Sequence, residues 1–157
     1  MLPFGHLALR STERGWGDRW THFTQDEQIA LMTLWCLFRS PLMVGAELND
    51  NDEFTLNLLT NDEVLALLSE SRNARQVYRE ERYNYAGEVI VWQAENEQGE
   101  TYCAVFNCGP KARKLAVQLS SALGLEGAYT GRDLWAHEEI PVGRALEVEV
   151  PSHGARL

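Results

Sequence analysis

Acid–base or nucleophilic chemistry needs carboxylates, imidazoles or thiols held within hydrogen-bond reach of one another. By type, the carboxylate candidates in this sequence are Asp18, Asp26, Glu27, Glu47, Asp50 and Asp52. Asp26 and Glu27 fall in the first turn of a predicted helix, where acids complement the helix dipole without any catalytic role. Asp50 and Asp52 alternate with Asn49 and Asn51 in a turn, a setting that favours both residue types for local backbone hydrogen bonding. His6, His22, His137 and His153 are scattered, and Cys103 and Cys108 would face opposite sides of a regular strand. Neither set has the spacing of a zinc site, so no metal is expected. The densest concentration of useful groups is the loop Arg10–Phe23, where Trp16 and Trp20 are interleaved with Arg14, Asp18 and Arg19. Its indoles and charges either face a ligand or pack and pair with one another.

The elements that would position these groups change character along the chain. Thr24 with Glu27 forms a predicted capping box ahead of the periodic run Ile29–Phe38. That run is apolar nearly all round, which predicts a helix covered on every side. Arg39-Ser40-Pro41 stops it, and Leu42–Val44 reads as a strand of the kind buried on both faces of a parallel sheet. Asn49–Asp52 is a turn into another short helix, and Thr60 with Glu63 repeats the capping device before Val64–Leu68. The order loop, helix, strand, helix is that of an α/β repeat. Past Ser71-Arg72-Asn73 the period becomes two, as in Leu146–Val150 and in Leu115, Val117 and Leu119. Val89–Trp92 and Tyr102–Phe106 are strands joined by the turn Asn96–Gly99, and short strands at this spacing predict an antiparallel sandwich. Roughly eight large side chains of Ile29–Val44 lack partners on this reading, forfeiting about 1.5–3 kcal/mol each. Upstream residues or other chains are therefore expected to cover them.

The chain has 157 residues, 45% of them hydrophobic, which suits one domain or a small domain with an appendage. Its formal net charge of -9 argues against nucleic acid, since binding phosphates takes an excess of Lys and Arg. The same charge argues against an anionic membrane surface, and no apolar run is long enough to cross a bilayer. The compartment is left open.

Several segments, in order, resemble one family. Met1-Leu2, Thr33-Leu34-Trp35, Arg39–Gly45, Thr55–Val64, Arg132–His137 and Pro151–Ala155 are together similar to the C-terminal part of glycoside hydrolase family 27, the α-galactosidases and α-N-acetylgalactosaminidases. The resemblance implies a fold of α/β plus all-β class. Residues 1–74 would be the last βα elements of a (β/α)8 TIM barrel, and residues 75–157 an antiparallel Greek-key β-sandwich. Helix 25–39 would be the seventh barrel helix, 42–45 the eighth strand and 52–69 the eighth helical layer.

The family hydrolyses terminal α-galactosyl or related bonds with retention, which takes two carboxyl groups about 5–5.5 Å apart. In the family both are aspartates upstream of the point that matches Met1, so no catalytic residue is expected here. The substrate-binding residues that the resemblance implies are Met1, Trp16, Asp18, Trp20 and Glu47. Met1 matches a residue lining the sugar pocket, and Trp16, Asp18 and Trp20 belong to the loop after the seventh strand. Glu47 lies just past the eighth strand, at the barrel face where active sites gather. Tyr83 and Tyr85 are a further candidate carbohydrate patch. The implied partners are a galactoside or related carbohydrate, with a missing N-terminal barrel segment or self-association; no cofactor is implied. The alternative is a non-catalytic carbohydrate-binding or assembly sandwich with the α/β piece as a docking surface.

Overall fold

The computed structural model describes residues 1–8, 18–80 and 88–157. The chain opens with a short antiparallel pair, β1 (His6–Ala8) and β2 (Arg19–Trp20), in which His6 lies opposite Trp20. Helix α1 (Gln25–Leu37) follows with the expected capping box: the Thr24 hydroxyl accepts from the Glu27 N–H, and the Glu27 carboxylate accepts from the Thr24 N–H at 2.7 Å. The helix stops two residues before the predicted end. Phe38 is its C-cap and Arg39 turns left-handed at φ 53, which takes the chain off the helical path ahead of Pro41.

The predicted strand at 42–45 is reduced to one isolated parallel bridge between Val44 and Leu2. The Leu2 N–H donates to Met43 O at 2.7 Å and the Gly45 N–H to Leu2 O at 2.8 Å. Among the described residues no strand lies on the other edge of this pair, so the ladder does not propagate.

Helices α2 (Glu53–Thr60) and α3 (Asp62–Glu70) run almost end to end, capped by Asp52 and Asn61. The second capping box expected at Thr60 and Glu63 is not formed. Thr60 closes α2 with its hydroxyl donating to Leu56 O at 2.8 Å, and the Asn61 side chain takes over the cap by accepting from the Val64 N–H at 3.0 Å. Freed from capping, Glu63 reaches Arg132 and His137 in the second half of the chain.

The rest is the β-sandwich. In chain order its strands are β3 (Arg72–Glu80), β4 (Val89–Glu95), β5 (Thr101–Asn107), β6 (Arg113–Gln118), β7 (Gly131–Asp133), β8 (Glu138–Ile140), β9 (Ala145–Val150) and β10 (Ala155–Arg156). One antiparallel sheet has the order β10-β5-β4-β3; β6 pairs with β9, and β7 with β8 as a hairpin. A π-helical turn, Leu119–Leu123, follows β6 and ends at Gly124, whose φ of 70 suits a residue without Cβ.

Strand alternation decides what each face of the large sheet meets. Val89, Val91 and Val105 point to β6 and β9, where they pack with Val117, Leu119, Leu123 and Val150. Ala94, Ala104, Phe106 and Ala155 point the other way and pack with Met32, Cys36 and Leu37 of α1 and with Val64 and Leu67 of α3. The result is three layers, helices on sheet on sheet, which explains why β4 is apolar on both faces despite being antiparallel.

This arrangement corrects the expectation that α1 lacks partners within the chain. Met32, Cys36 and Leu37 are completely buried. Ile29, Leu31, Leu34 and Trp35 are partly buried against the same core, while Phe38 and Met43 stay exposed.

Candidate functional site

The polar groups of the N-terminal part converge on His6. Gly5 sets the direction: its φ of +63 bends the chain between Phe4 and β1, and its carbonyl accepts from the Thr21 N–H at 2.8 Å. A Cβ at this position would lie 2.8 Å from Thr55 Cγ2, so helix α2 presses directly on the bend. The cross-strand register then places His6 face to face with Trp20, the ring centroids 4.8 Å apart and the planes within 5° of parallel.

Both imidazole nitrogens are engaged by carboxylates. Nδ1 lies 2.6 Å from Asp50 Oδ2, and Nε2 contacts Asp18 Oδ1. A neutral imidazole has one donor, whereas two acceptor-only partners call for the imidazolium with both N–H groups donating. The His6 pKa is accordingly raised, by the hydrogen bond to Asp18 first and that to Asp50 second, with burial opposing. His6 itself is 3% exposed, while Trp20 keeps 44% of its surface and the Asp18 and Asp50 side chains keep more than half. One oxygen of each carboxylate is spent on His6. Asp18 Oδ2 and Asp50 Oδ1 have no protein partner among the described residues. With both ring nitrogens donating, His6 offers no lone pair to a metal.

The turn that delivers Asp50 is fastened to the same strand. The Glu47 N–H donates to His6 O at 2.8 Å, and Asp50 N–H to Glu47 O at 3.3 Å. The Glu47 carboxylate accepts from the backbone N–H and the side-chain amide of Asn49, at 3.3 and 3.2 Å. It therefore shapes its own turn. Met1 lies against Gly45 on the parallel pair and is 88% exposed.

Of the residues expected from the sequence, Asp18 and Trp20 meet in one cluster, Glu47 contributes to it through its backbone, and Met1 stands at the adjoining strand pair. Trp16, Tyr83 and Tyr85 lie outside the described residues. Asp50 is a candidate by type that the sequence reading assigns to its turn, and His6 is one of four scattered histidines; neither is among the expected substrate-binding residues. Asp18 and Asp50 lie 12 and 44 residues away from His6, distances over which a single sequence carries no pairing signal.

A separate cavity of about 690 Å³ lies in the sandwich, lined by Tyr102, Val105, Leu119, Leu146 and Arg156 among others, and by no member of the His6 cluster.

Comparison with known proteins completes the picture. The family description "Alpha galactosidase C-terminal beta sandwich domain" matches residues 86–157. A solved glycoside hydrolase family 27 β-L-arabinopyranosidase from Geobacillus stearothermophilus superimposes with a TM-score of 0.85 at 44% identity, over 99% of this chain and 34% of that one. α-Galactosidase D of Emericella nidulans is 30% identical over 139 residues, 85% of this chain and 20% of its own length. The α-galactosidase of Coffea arabica is 26% identical over 159 residues, 100% of this chain and 37% of its own. The chain thus spans between a fifth and two-fifths of these relatives.

Proposed function

We propose, for a chain that corresponds to the C-terminal part of an α-galactosidase-like protein of glycoside hydrolase family 27, that it supplies the last barrel elements, one rim of the sugar pocket and the supporting β-sandwich of a retaining glycosidase. The whole enzyme would release terminal α-galactosyl residues or their close stereochemical relatives. A β-L-arabinopyranoside is one of these, being an α-D-galactopyranoside without its hydroxymethyl group.

The observation that carries this reading is the parallel pairing of Leu2 with Val44, with helix α1 in the connection between them and Leu2 packed in one core with Met32, Leu58 and Val64. Parallel neighbours joined by a helical crossover are the unit of a (β/α)8 barrel. On this reading residues 1–74 are the end of the barrel and 75–157 the sandwich. Both carboxylates of the double displacement lie on earlier strands, outside this chain. Met1, Asp18, Trp20 and Glu47, with Trp16 on the same connection, then lie at the C-terminal ends of adjoining strands, the face on which barrel enzymes bind substrate. Likeness over 99% of the chain, helices included, favours this reading over a free-standing carbohydrate-binding sandwich.

The test is complementation. The 157-residue chain alone gives no turnover of aryl α-D-galactopyranoside or aryl β-L-arabinopyranoside. Mixing it with the N-terminal barrel portion of the Geobacillus stearothermophilus relative restores hydrolysis with retained anomeric configuration. Retaining turnover by the purified chain alone, or no activity from the reconstituted pair, overturns the proposal.

A further inference from the structure

The His6 cluster is built more tightly than a structural turn requires. A neutral buried histidine is satisfied by one acceptor and one donor. His6 has two carboxylates, from segments before β2 and after Val44, and an indole stacked on its ring. The two aspartates are largely exposed and the indole keeps an open surface, while the imidazole between them is buried. The solvent-facing groups are thus oriented by one hidden residue, a division of labour expected of a ligand-positioning device.

We infer that His6 is a positioning residue that, as an imidazolium, holds Trp20 flat as a stacking platform for a pyranose ring and aims the free oxygens of Asp18 and Asp50 at its hydroxyls. This rests on the reading of the chain as part of a glycosidase and assigns the residues of its pocket rim. The ligand chemistry follows from the groups. An exposed indole face takes the apolar C–H face of a sugar. Two half-free carboxylates accept hydrogen bonds from adjacent hydroxyls, and their shared negative charge excludes an anionic sugar.

The stack also explains the choice of histidine. A cation against an indole face is held by the ring quadrupole, so protonation of His6 fixes the tryptophan and the two aspartates together. Among the described residues, the charged groups acting on the imidazole are Asp18 and Asp50, and both favour the imidazolium. Above the His6 pKa one N–H is lost, one carboxylate is released, and the stack loses its charge.

The experiment is a titration of the full chain by NMR, following the His6 ring protons and the Trp20 indole N–H, the latter assigned with Trp20→Phe. Methyl β-L-arabinopyranoside is the probe, with methyl α-glucopyranoside as the stereochemical control. The expected result is a His6 titration displaced upward from an ordinary histidine and ring-current shifts on the His6 protons that vanish in Trp20→Leu. The arabinoside shifts the Trp20 signal and the glucoside does not, with half-saturation rising at least five-fold in His6→Asn or above the His6 pKa. Folding of His6→Asn is checked by the unchanged Trp135 indole signal. An ordinary His6 titration, or equal arabinoside binding in wild type and His6→Asn, overturns the inference. Because the readout is binding by the chain itself, it stands or falls separately from restored hydrolysis.

Discussion

The Trp135 indole N–H donates to the Thr33 hydroxyl at 2.9 Å, joining helix α1 to the turn after β7 across 102 residues of sequence. Both groups lie at the helix–sheet interface, Thr33 completely buried. Asn61 repeats the link next door by donating to Leu134 O at 2.9 Å. Replacing Thr33 with Val keeps the shape and leaves the indole N–H unpaired. A loss of about 1–3 kcal/mol is expected, read from urea midpoints, with Thr33→Ser close to wild type. Equal stability of Thr33→Val and Thr33→Ser would show that the bond is incidental.

Glu63 makes the neighbouring contact in charged form. Its carboxylate accepts two bonds from Arg132, both at 2.7 Å, and one from His137 Nδ1 at 2.7 Å. Arg132 first, then His137, lowers the Glu63 pKa from 4.5 to about 2. A depressed carboxylate pKa contributes stability that is complete above the unfolded value and is lost as pH falls through the folded one. The window is therefore pH 4.5 down to 2. Glu63→Gln should lower stability at pH 7 by about 1 kcal/mol, since the pair is partly solvated. It should also flatten the pH dependence in that window, as seen by thermal melts at several pH values. An unchanged acid profile in the variant would assign the slope to other carboxylates.

Asn107 is 1% exposed and acts as a polar node of the sandwich. Its amide donates to Lys111 O at 2.8 Å and Pro151 O at 2.9 Å, and its oxygen accepts from the Gly109 N–H at 3.0 Å. Asn107→Leu strands buried backbone carbonyls of two connections and should cost about 2–4 kcal/mol. Denaturant unfolding monitored by tryptophan fluorescence measures it. A cost below about 1 kcal/mol would mean that the turns are held by the strands alone.

Gly5→Ala tests the bend that points His6 into its site. The substitution meets both a positive φ and a Cβ placed 2.8 Å from Thr55 Cγ2. About 1–3 kcal/mol of destabilisation is expected, together with weakening of the His6–Trp20 ring-current shift. Gly99→Ala, at φ +85 with open space around it, carries the backbone strain without the clash and leaves that shift intact. Identical His6 spectra in wild type and Gly5→Ala would separate the bend from the site.

The thiols should react in order of exposure. Cys108 is exposed, its thiol pushed up by partial burial and by Glu88, and burial pushes Cys36 and Cys103 up to about 12. Iodoacetamide at pH 8 is expected to alkylate Cys108 alone in the folded chain and all three in urea, as read by peptide mass spectrometry. Labelling of Cys36 under native conditions would show that α1 separates from the sheet.

Local chemistry was legible in the sequence. The Thr24–Glu27 box, the stop before Pro41, the period of two from β4 onward and the turn before β10 all depend on residues within a few positions of one another, where sterics and short hydrogen bonds decide. Composition argued against a nucleic-acid partner, and the order of several short motifs carried a resemblance to one family. Tertiary structure decided what these elements meet. That α1 finds cover against the back of the large sheet depends on which face each strand presents to it, and the apolar run of α1 does not encode that. Glu63 had one local use open to it, the helix cap, and a bidentate arginine 69 residues away outcompeted it. His6 looked like one scattered histidine among four. It became the centre of a site because a bulged hairpin and a fastened turn brought two aspartates and an indole to it, and contacts of that range are fixed by packing rather than by any pattern along the chain.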